Sequence, residues 1–182
     1  MAELLTIWKR AVSDQTELIE RIFSLRLLDD NRISYCLIGG VGVNAYVDPV
    51  FTADLDIAVA TDDIERVREL MSRSFVVKEL AHGLNVSERG TKLQIQFRLE
   101  PVYSAFVARA ERRRVLDLYV PVAALEDLFQ GKVWAATDDT EPVSKHLKDL
   151  ADIARLIEAY PHLVDMVPAS ILAHVTRPDP GV

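Results

Sequence analysis

The sequence has little cysteine and no long apolar run, and each shortage excludes a class of protein. Its one cysteine, Cys36, has no partner for a disulfide, so the chain is not a disulfide-stapled secreted domain and a reducing compartment suffices for it. Nowhere do about eighteen uncharged apolar residues follow one another, and the first residues lack the basic start of a secretory signal. We therefore expect a cytoplasmic protein with no membrane partner.

The chain also lacks an excess of positive charge. Its 21 Lys and Arg residues against 28 Asp and Glu residues give a net charge of −7, which argues against broad electrostatic adhesion to nucleic acid or to an anionic membrane. A local exception is the cluster formed by Arg109, Arg112, Arg113 and Arg114. We predict that this cluster is a solvated helix or turn face, and contact with phosphate is the less favoured alternative.

Apolar residues, by contrast, are plentiful. They make up 49% of the 182 residues, enough to bury the core of one domain of ordinary size. Segments with strand periodicity alternate with segments of helical periodicity, which predicts an α+β or α/β fold: a small mixed sheet of about five strands with helices on its faces. We expect residues 1–121 to form the α/β core, including an N-terminal amphipathic helix, and residues 122–182 to form a C-terminal helical part of the same compact unit.

The stretch from Tyr35 to Ala60 organises the chain. Residues 35–38 are a short apolar run that predicts a buried strand, and Gly39 and Gly40 end it in a turn. Glycine at such a turn lets the backbone pass close to another group. The first N–H groups of the helix that follows would have no partner and would carry partial positive charge, so the turn is suited to phosphate.

Thr52, Asp54 and Asp56 come on the next predicted strand and share one of its faces, because strand side chains alternate. Two carboxylates that point the same way without a cationic neighbour in sequence repel each other, and a hard cation such as Mg²⁺ relieves that repulsion. Asp54 and Asp56 are therefore candidate metal ligands. Taken alone, a Gly-Gly turn or an Asp-x-Asp pair is more often purely structural.

In this order, Gly39, Gly40, Asp54 and Asp56 resemble the signature of the nucleotidyltransferase superfamily that shares the fold of the polymerase-beta catalytic domain. The resemblance implies an NTP substrate whose triphosphate lies on the Gly39–Gly40 turn beside Thr52. It also implies that Asp54 and Asp56 are catalytic residues and that they bind Mg²⁺ or Mn²⁺. In such enzymes two metal ions normally clamp the attacking and leaving oxygens in line.

The next strand with clear alternation departs from this pattern. Residues 93–99 predict a half-buried strand whose polar face carries the amides Gln94 and Gln96. In the resembling family a third metal-binding carboxylate usually comes from this strand. An amide offers an oxygen to a metal but brings no charge and cannot take a proton. Gln96 is thus a weak candidate ligand with Gln94 as its alternative, and Glu100 or Asp117 are the next candidates for a third acid.

A lysine later in the chain lies in the apolar stripe of a predicted helix. Burying the Lys132 ammonium group there costs free energy unless it reaches a partner such as phosphate. The alternative is that the side chain snorkels, so that its ammonium group reaches water. Asp149 and Asp152, three residues apart on the following helix, could orient Lys132 or a nucleotide-bound ion. From the residues alone, ordinary i, i+4 ion pairs of these two acids with Lys145 and Lys148 are the preferred interpretation.

The segment Lys132-Val133-Trp134-Ala135, followed by Asp149-Leu150-Ala151-Asp152, resembles motifs of the abortive-infection-type (AbiEii/AbiGii) nucleotidyltransferases, the toxin half of certain bacterial toxin–antitoxin pairs. The resemblance spans residues 35 to about 160. It implies that Lys132 is a catalytic residue that neutralises phosphate charge and that Asp149 contributes to nucleotide binding.

The same resemblance implies a function: transfer of NMP from an NTP to an acceptor hydroxyl, on RNA or on a protein, with a cognate antitoxin as partner. The alternative is a catalytically impaired protein of this fold that serves as a nucleotide-binding or interaction module. The amides at Gln94 and Gln96 are the sequence feature that supports this alternative.

Overall fold

The computed structural model describes residues 27–50, 52, 54–73, 75–87, 94–115 and 118–176. The predicted N-terminal helix, apart from its last residues, lies outside the described residues, as does the candidate acid Asp117.

Seven strands in the described part of the chain form one mixed sheet. They are β1 (Tyr35–Ile38), β2 (Asp54–Val59), β3 (Val76–Leu80), β4 (Gly83–Ser87), β5 (Gln94–Arg98), β6 (Glu111–Val115) and β7 (Leu118–Val122). Their order in space is β3-β4-β5-β2-β1-β7-β6. The pairs β1–β7 and β2–β5 are parallel and the remaining pairs are antiparallel. The predicted α+β class is confirmed, and the strand with the two aspartates is the central one.

Helices cover both faces of this sheet. They are α1 (Leu27–Asp30), α2 (Gly39–Val43), α3 (Ile64–Ser72), α4 (Ser104–Ala108), α5 (Leu125–Ala136), α6 (Val143–Ala159) and α7 (Ala169–Val175). Short 3-10 segments lie at Thr61–Asp63, Pro101–Tyr103 and Pro161–Met166. Within the described residues, none of the helices has both the length and the apolar composition that crossing a membrane requires.

The sheet separates two apolar cores, because successive side chains of β1 and β2 point to opposite sides. On one side, residues such as Leu37 and Ile57 pack with α1 and α3. On the other side, Cys36 and Ile38 pack with the apolar faces of α5, α6 and α7, where Phe129 is fully buried. The C-terminal helices therefore cover the face of the sheet on which Asp54 and Asp56 also lie.

The arginine cluster lies on a strand where none was expected, and this strand, β6, is one of the strands beyond the expected five. It was predicted as a helix or turn face, but three of its arginines lie on the edge strand β6, in an antiparallel hairpin with β7. The Arg112 guanidinium donates to the Tyr119 carbonyl at 2.6 Å, and the Arg113 guanidinium stacks 3.9 Å from the centroid of the Tyr46 ring. A backbone carbonyl and an aromatic ring thus interact with arginines that the sequence alone assigned to a solvated helix or turn.

Candidate functional site

A cleft of about 360 Å³ opens between the sheet and the C-terminal helices, within the size range of small-molecule sites. We call its two sides the sheet wall and the helical wall. The sheet wall includes Gly39, Gly40, Asp54, Asp56, Gln96 and Arg98. The helical wall includes Tyr103, Lys132, Ser144, Lys145, Lys148 and Asp149. Residues that are far apart in sequence and were singled out from the sequence therefore line a single cleft.

The glycine turn lies directly against the aspartates. Gly39 has a φ of +64°, and a Cβ on it would lie 2.1 Å from Asp56 Oδ2. A Cβ on Gly40 would lie 3.0 Å from Thr52 Oγ1. The antiparallel register brings about this approach, since Ile38, the last residue of β1, is opposite Asp56. Glycine at position 39 is thus required both by the left-handed backbone and by the neighbouring carboxylate. The group that this backbone passes closely is Asp56.

Asp56 is half-buried in the wall of the cleft, and its charge is only partly balanced. Burial raises the pKa of Asp56 above its ordinary value; the positive charges of Arg98 and Lys132 counteract this shift, and the negative charge of Asp54 adds to it. The ionised pair is therefore costly in the free protein, and a bound cation would lower that cost. Carboxylate oxygens are ligands that Mg²⁺ prefers, so the donors fit a magnesium ion.

The structure distinguishes the two glutamines of β5. In the parallel β2–β5 pair, Gln96 is opposite Asp56 and Gln94 is opposite Asp54. Gln96 lines the cleft, whereas Gln94 is exposed and its Oε1 accepts a hydrogen bond from Asn85 Nδ2 at 2.9 Å. Among the described residues, no group of three or more His, Cys, Asp or Glu side chains is arranged to hold a metal. The residue opposite Asp56, where a third carboxylate was expected from the resemblance, is the amide Gln96.

Lys132 is buried in an ion network on the helical wall. Its side chain is 7% exposed, and Nζ lies 2.7 Å from Asp149 Oδ1 and 2.7 Å from Asp152 Oδ2. Burial alone would lower the pKa of Lys132, but the two carboxylates outweigh it and raise that pKa above its ordinary value. The lysine is thus charged at neutral pH. Asp149 and Asp152, which the sequence offered as groups that could orient Lys132, both pair with it, and the snorkelling alternative is wrong.

The two lysines at the start of α6 do not pair with Asp149 and Asp152, as the residues alone favoured. Lys145 forms its ion pair with Glu141, and Lys148 Nζ donates to Thr52 Oγ1 at 3.0 Å, across the cleft. Residues 145, 148, 149 and 152 share one helical face, and this face is turned to the sheet. That spacing was the available signal for Lys145 and Lys148 as site residues, but local ion pairs explained it equally well.

The buried network extends from α6 to the segment between α2 and β2. Arg155 donates to Asp152 Oδ1 at 2.8 Å and to the carbonyl of Asp48. Asn44 Oδ1 also accepts a hydrogen bond from Arg155 at 3.3 Å. The Asn44 side chain donates to the Val50 carbonyl and accepts from the Val50 N–H. Asp152 therefore positions Lys132 and ties it to the segment that leads into the aspartate strand.

Positive charge is concentrated in this cleft although the chain as a whole is acidic. Four cations line it against three anions, Asp54, Asp56 and Asp149, while the net charge of the protein is −7. Arg98, Lys145 and Lys148 were not singled out from the sequence. A cation-lined cleft in an acidic protein favours an anionic ligand.

Solved structures of nucleotidyltransferases share this fold. The crystal structure of ANT(2")-Ia in complex with adenylyl-2"-tobramycin matches with a TM-score of 0.60 at 14% identity, over 90% of this chain and 99% of that chain. The lincomycin-bound lincosamide antibiotic adenylyltransferase LnuA matches with a TM-score of 0.51 at 12% identity, over 75% and 96% of the two chains. An antigenic nucleotidyltransferase-like protein from Paracoccidioides brasiliensis matches with a TM-score of 0.54 at 15% identity, over 89% and 98%. At these identities the likeness shows the fold alone.

No curated protein matches the sequence significantly. A family does: the sequence model described as "Nucleotidyl transferase AbiEii toxin, Type IV TA system" matches residues 26–179. This range contains the glycine turn, both aspartates of β2, Lys132 and Asp149, and it extends beyond the 35–160 range of the resemblance in both directions. The chain belongs to the AbiEii family of nucleotidyl transferase toxins.

Proposed function

We propose that this protein is a Mg²⁺-dependent nucleotidyltransferase that moves NMP from an NTP to an acceptor hydroxyl. The observation that carries the proposal is the meeting, in one cleft, of a glycine turn, a pair of carboxylates and a buried charged lysine. Each of these features alone is common in proteins without this activity. Membership of the AbiEii family supports the reaction class.

The triphosphate would lie between the glycine turn and α6. Lys148 Nζ has a neutral hydroxyl, Thr52 Oγ1, as its partner, and a Cβ on Gly40 would lie only 3.6 Å from this ammonium group. A phosphate oxygen at the turn could accept hydrogen bonds from Lys148 and Thr52 together. Lys145 lines the same part of the cleft, so a second ammonium group can balance the charge of the triphosphate.

Asp54 and Asp56 would hold the magnesium ion. Their side chains share a strand face, and the absence of a side chain at Gly39 lets the glycine turn lie directly against Asp56 Oδ2. A bound Mg²⁺ would neutralise phosphate charge and help to orient the reacting phosphorus. The raised pKa of Asp56 supports this role, because a carboxylate that is costly to ionise alone gains most from a cation.

In the transfer step, the acceptor oxygen bonds to the α-phosphorus while the bond from that phosphorus to the bridging oxygen breaks and pyrophosphate leaves. Lys132 would neutralise the charge that develops on the phosphate oxygens, held in place by Asp149 and Asp152. No carboxylate lies opposite Asp56 to receive the acceptor proton, because Gln96 occupies that position. We therefore expect slow transfer.

The acceptor hydroxyl belongs to RNA, to a protein or to a small molecule. A cognate antitoxin and a bacterial cytoplasmic setting are part of the same proposal, because the AbiEii family is described as the toxin of a type IV toxin–antitoxin system. The second candidate function is a nucleotide-binding or antitoxin-binding module without turnover. The amide at Gln96 is the observation that favours it.

Incubation with each of the four labelled NTPs, Mg²⁺ or Mn²⁺ and a cell lysate tests the proposal. We expect slow incorporation of one label into a lysate component, and no incorporation by a variant with Asp54→Asn and Asp56→Asn. Nucleotide binding without incorporation would favour the second candidate function. If the protein neither binds nor incorporates any of the four nucleotides, both are wrong.

A further inference from the structure

Gln96 and Arg98 give the β5 side of the cleft an unusual chemistry. In the parallel register, Gln96 is opposite Asp56 and Arg98 is opposite Ala58. The two residues are two apart on one strand, so they point to the same side, and both line the cleft. Where a metal site would continue from Asp56 onto the neighbouring strand, the chain offers a neutral amide followed by a cation.

Arg98 differs from the other cations of the cleft in its partners. Lys132 is paired with aspartates, Lys145 with Glu141, and Lys148 with Thr52. Within the described residues, nothing accepts a hydrogen bond from Arg98 or forms an ion pair with it. Its charge nevertheless acts on Asp56, more strongly than that of Lys132. The half-buried Arg98 guanidinium therefore offers its five donors to a ligand in the cleft.

Among the described residues, the carboxylates on the sheet wall suffice for one divalent ion but not for two. Mg²⁺ is commonly bound by one or two carboxylates together with phosphate oxygens of the substrate, which Asp54, Asp56 and a triphosphate supply. A second ion on the β5 side would have the uncharged Gln96 as its ligand and the positive charge of Arg98 beside it. Repulsion from that guanidinium opposes a second divalent ion.

We propose that Arg98 takes the place of a second metal ion: its guanidinium binds the phosphate group of the NTP that lies next to Asp56, and the nucleotide is held with a single divalent ion. This inference rests on the proposed function. A planar guanidinium can donate two parallel hydrogen bonds to one phosphate, so it supplies positive charge and orientation without needing a third carboxylate.

The number of bound ions tests this assignment directly. The probe is Mn²⁺ with α,β-methylene ATP, which cannot undergo transfer, repeated with the analogues of the other three ribonucleotides. Electron paramagnetic resonance measures free Mn²⁺, and equilibrium dialysis measures bound nucleotide. We expect one Mn²⁺ per bound nucleotide in the wild type, and a loss of nucleotide affinity of about tenfold or more in Arg98→Ala.

Variants extend the test. Arg98→Lys keeps the charge without the planar pair of donors, and we expect it to lie between the wild type and Arg98→Ala. The double variant Gln96→Asp with Arg98→Ala restores a carboxylate and removes the repulsion, so it should bind two Mn²⁺ per nucleotide. Arg73→Ala is the matched control, because this arginine is exposed and faces Glu69 on α3; its affinity and ion count should equal those of the wild type.

The outcomes separate this inference from the function on which it rests. Two Mn²⁺ ions per nucleotide in the wild type, or unchanged nucleotide affinity in both Arg98→Ala and Arg98→Lys, would overturn the role of Arg98 and leave the proposed function standing. The absence of any nucleotide binding by the wild type would overturn both.

Discussion

The two walls of the cleft differ in how far their charges are satisfied within the protein. On the helical wall, Lys132 is buried between Asp149 and Asp152, and Arg155 completes the network. On the sheet wall, Asp56 is half-buried beside Asp54, and Arg98 has no ion-pair partner among the described residues. The helical wall thus contributes to the stability of the fold, while the sheet wall holds charges that need a ligand. Substitutions in the two walls should therefore have different effects.

Lys132→Met should cause the largest loss of stability. It leaves Asp149 and Asp152 buried without their shared cation, which typically costs about 3–5 kcal/mol. Unfolding by urea measures this loss, and Lys78→Met on the exposed strand β3 is the matched control. A loss below about 1 kcal/mol, the size typical of an exposed ion pair, would contradict the assignment of a stabilising role to the helical wall.

The same lysine gives a pH dependence. The pKa of Lys132 is raised in the folded state, so its contribution to stability is fully present below the unfolded value of about 10.4. The contribution is lost as the pH rises through the higher folded pKa. The stability difference between wild type and Lys132→Met should hence stay constant from about pH 6 to 9 and shrink only in strongly alkaline solution. A difference that disappears near neutral pH would show that the lysine is not held charged.

Asp56→Asn, in the sheet wall, should weaken ligand binding without lowering the stability of the fold. Removing a candidate metal ligand should weaken Mg²⁺-dependent nucleotide binding on the order of 100-fold, as measured by calorimetric titration. Its melting temperature in EDTA at pH 7 should equal or exceed that of the wild type. The pKa of Asp56 is raised in the folded state, so ionisation of this group reduces stability as the pH rises above its ordinary value of about 3.9.

The control for this substitution is Asp62→Asn, which changes an exposed acid outside the cleft. It should retain the nucleotide affinity of the wild type. A marked fall in the melting temperature of Asp56→Asn would remove the distinction between the two walls.

Gln96→Asp should have a smaller effect and should sharpen the comparison within the sheet wall. The added carboxylate lies opposite Asp56, so it should tighten Mg²⁺ binding and raise the transfer rate about tenfold by accepting the acceptor proton. Gln94→Asp places the same charge at an exposed position and should change neither quantity. Brisk turnover by the wild type, with no effect of either substitution, would mean that the third acid comes from elsewhere, with Glu100 and Asp117 as the next candidates.

The smallest effect should be the reaction of Cys36 with a thiol reagent in the native protein. Cys36 is fully buried on the face of the sheet that packs against the C-terminal helices, and burial raises the pKa of its thiol to about 12. The native protein should not react with a thiol reagent such as DTNB at pH 8, whereas the unfolded chain should react once. Rapid labelling of the native protein would show that the helical wall separates from the sheet and that the contacts between the walls are not maintained.

The central part of the fold and of the site could be predicted from local sequence signals. A short apolar run ended by two glycines marks β1, and strict alternation puts Asp54 and Asp56 on one face of β2. Lys132 stood out because a lysine in an apolar stripe needs a partner, and the ion network confirms that it has one. In each case the physical requirement lies within a few consecutive residues.

What could not be predicted depends on contacts between distant segments. Lys148 looked like the i, i+4 partner of Asp152, but Thr52, 96 residues away, accepts its hydrogen bond. Arg113 looked like part of a solvated charged run, but it stacks on Tyr46 from an edge strand. The roles of these side chains are decided by which surfaces the fold brings together, and local periodicity carries no information about that.

The most direct test of the account is a structure with ligand. A crystal of the protein grown with Mn²⁺ and an α,β-methylene ribonucleotide, measured at the manganese absorption edge, locates both the ion and the phosphates. We expect a single anomalous peak between Asp54 and Asp56, with phosphate oxygens within hydrogen-bonding distance of the Gly39–Gly40 turn and of Lys148. A nucleotide bound outside this cleft, or a manganese ion with no contact to either aspartate, would contradict it.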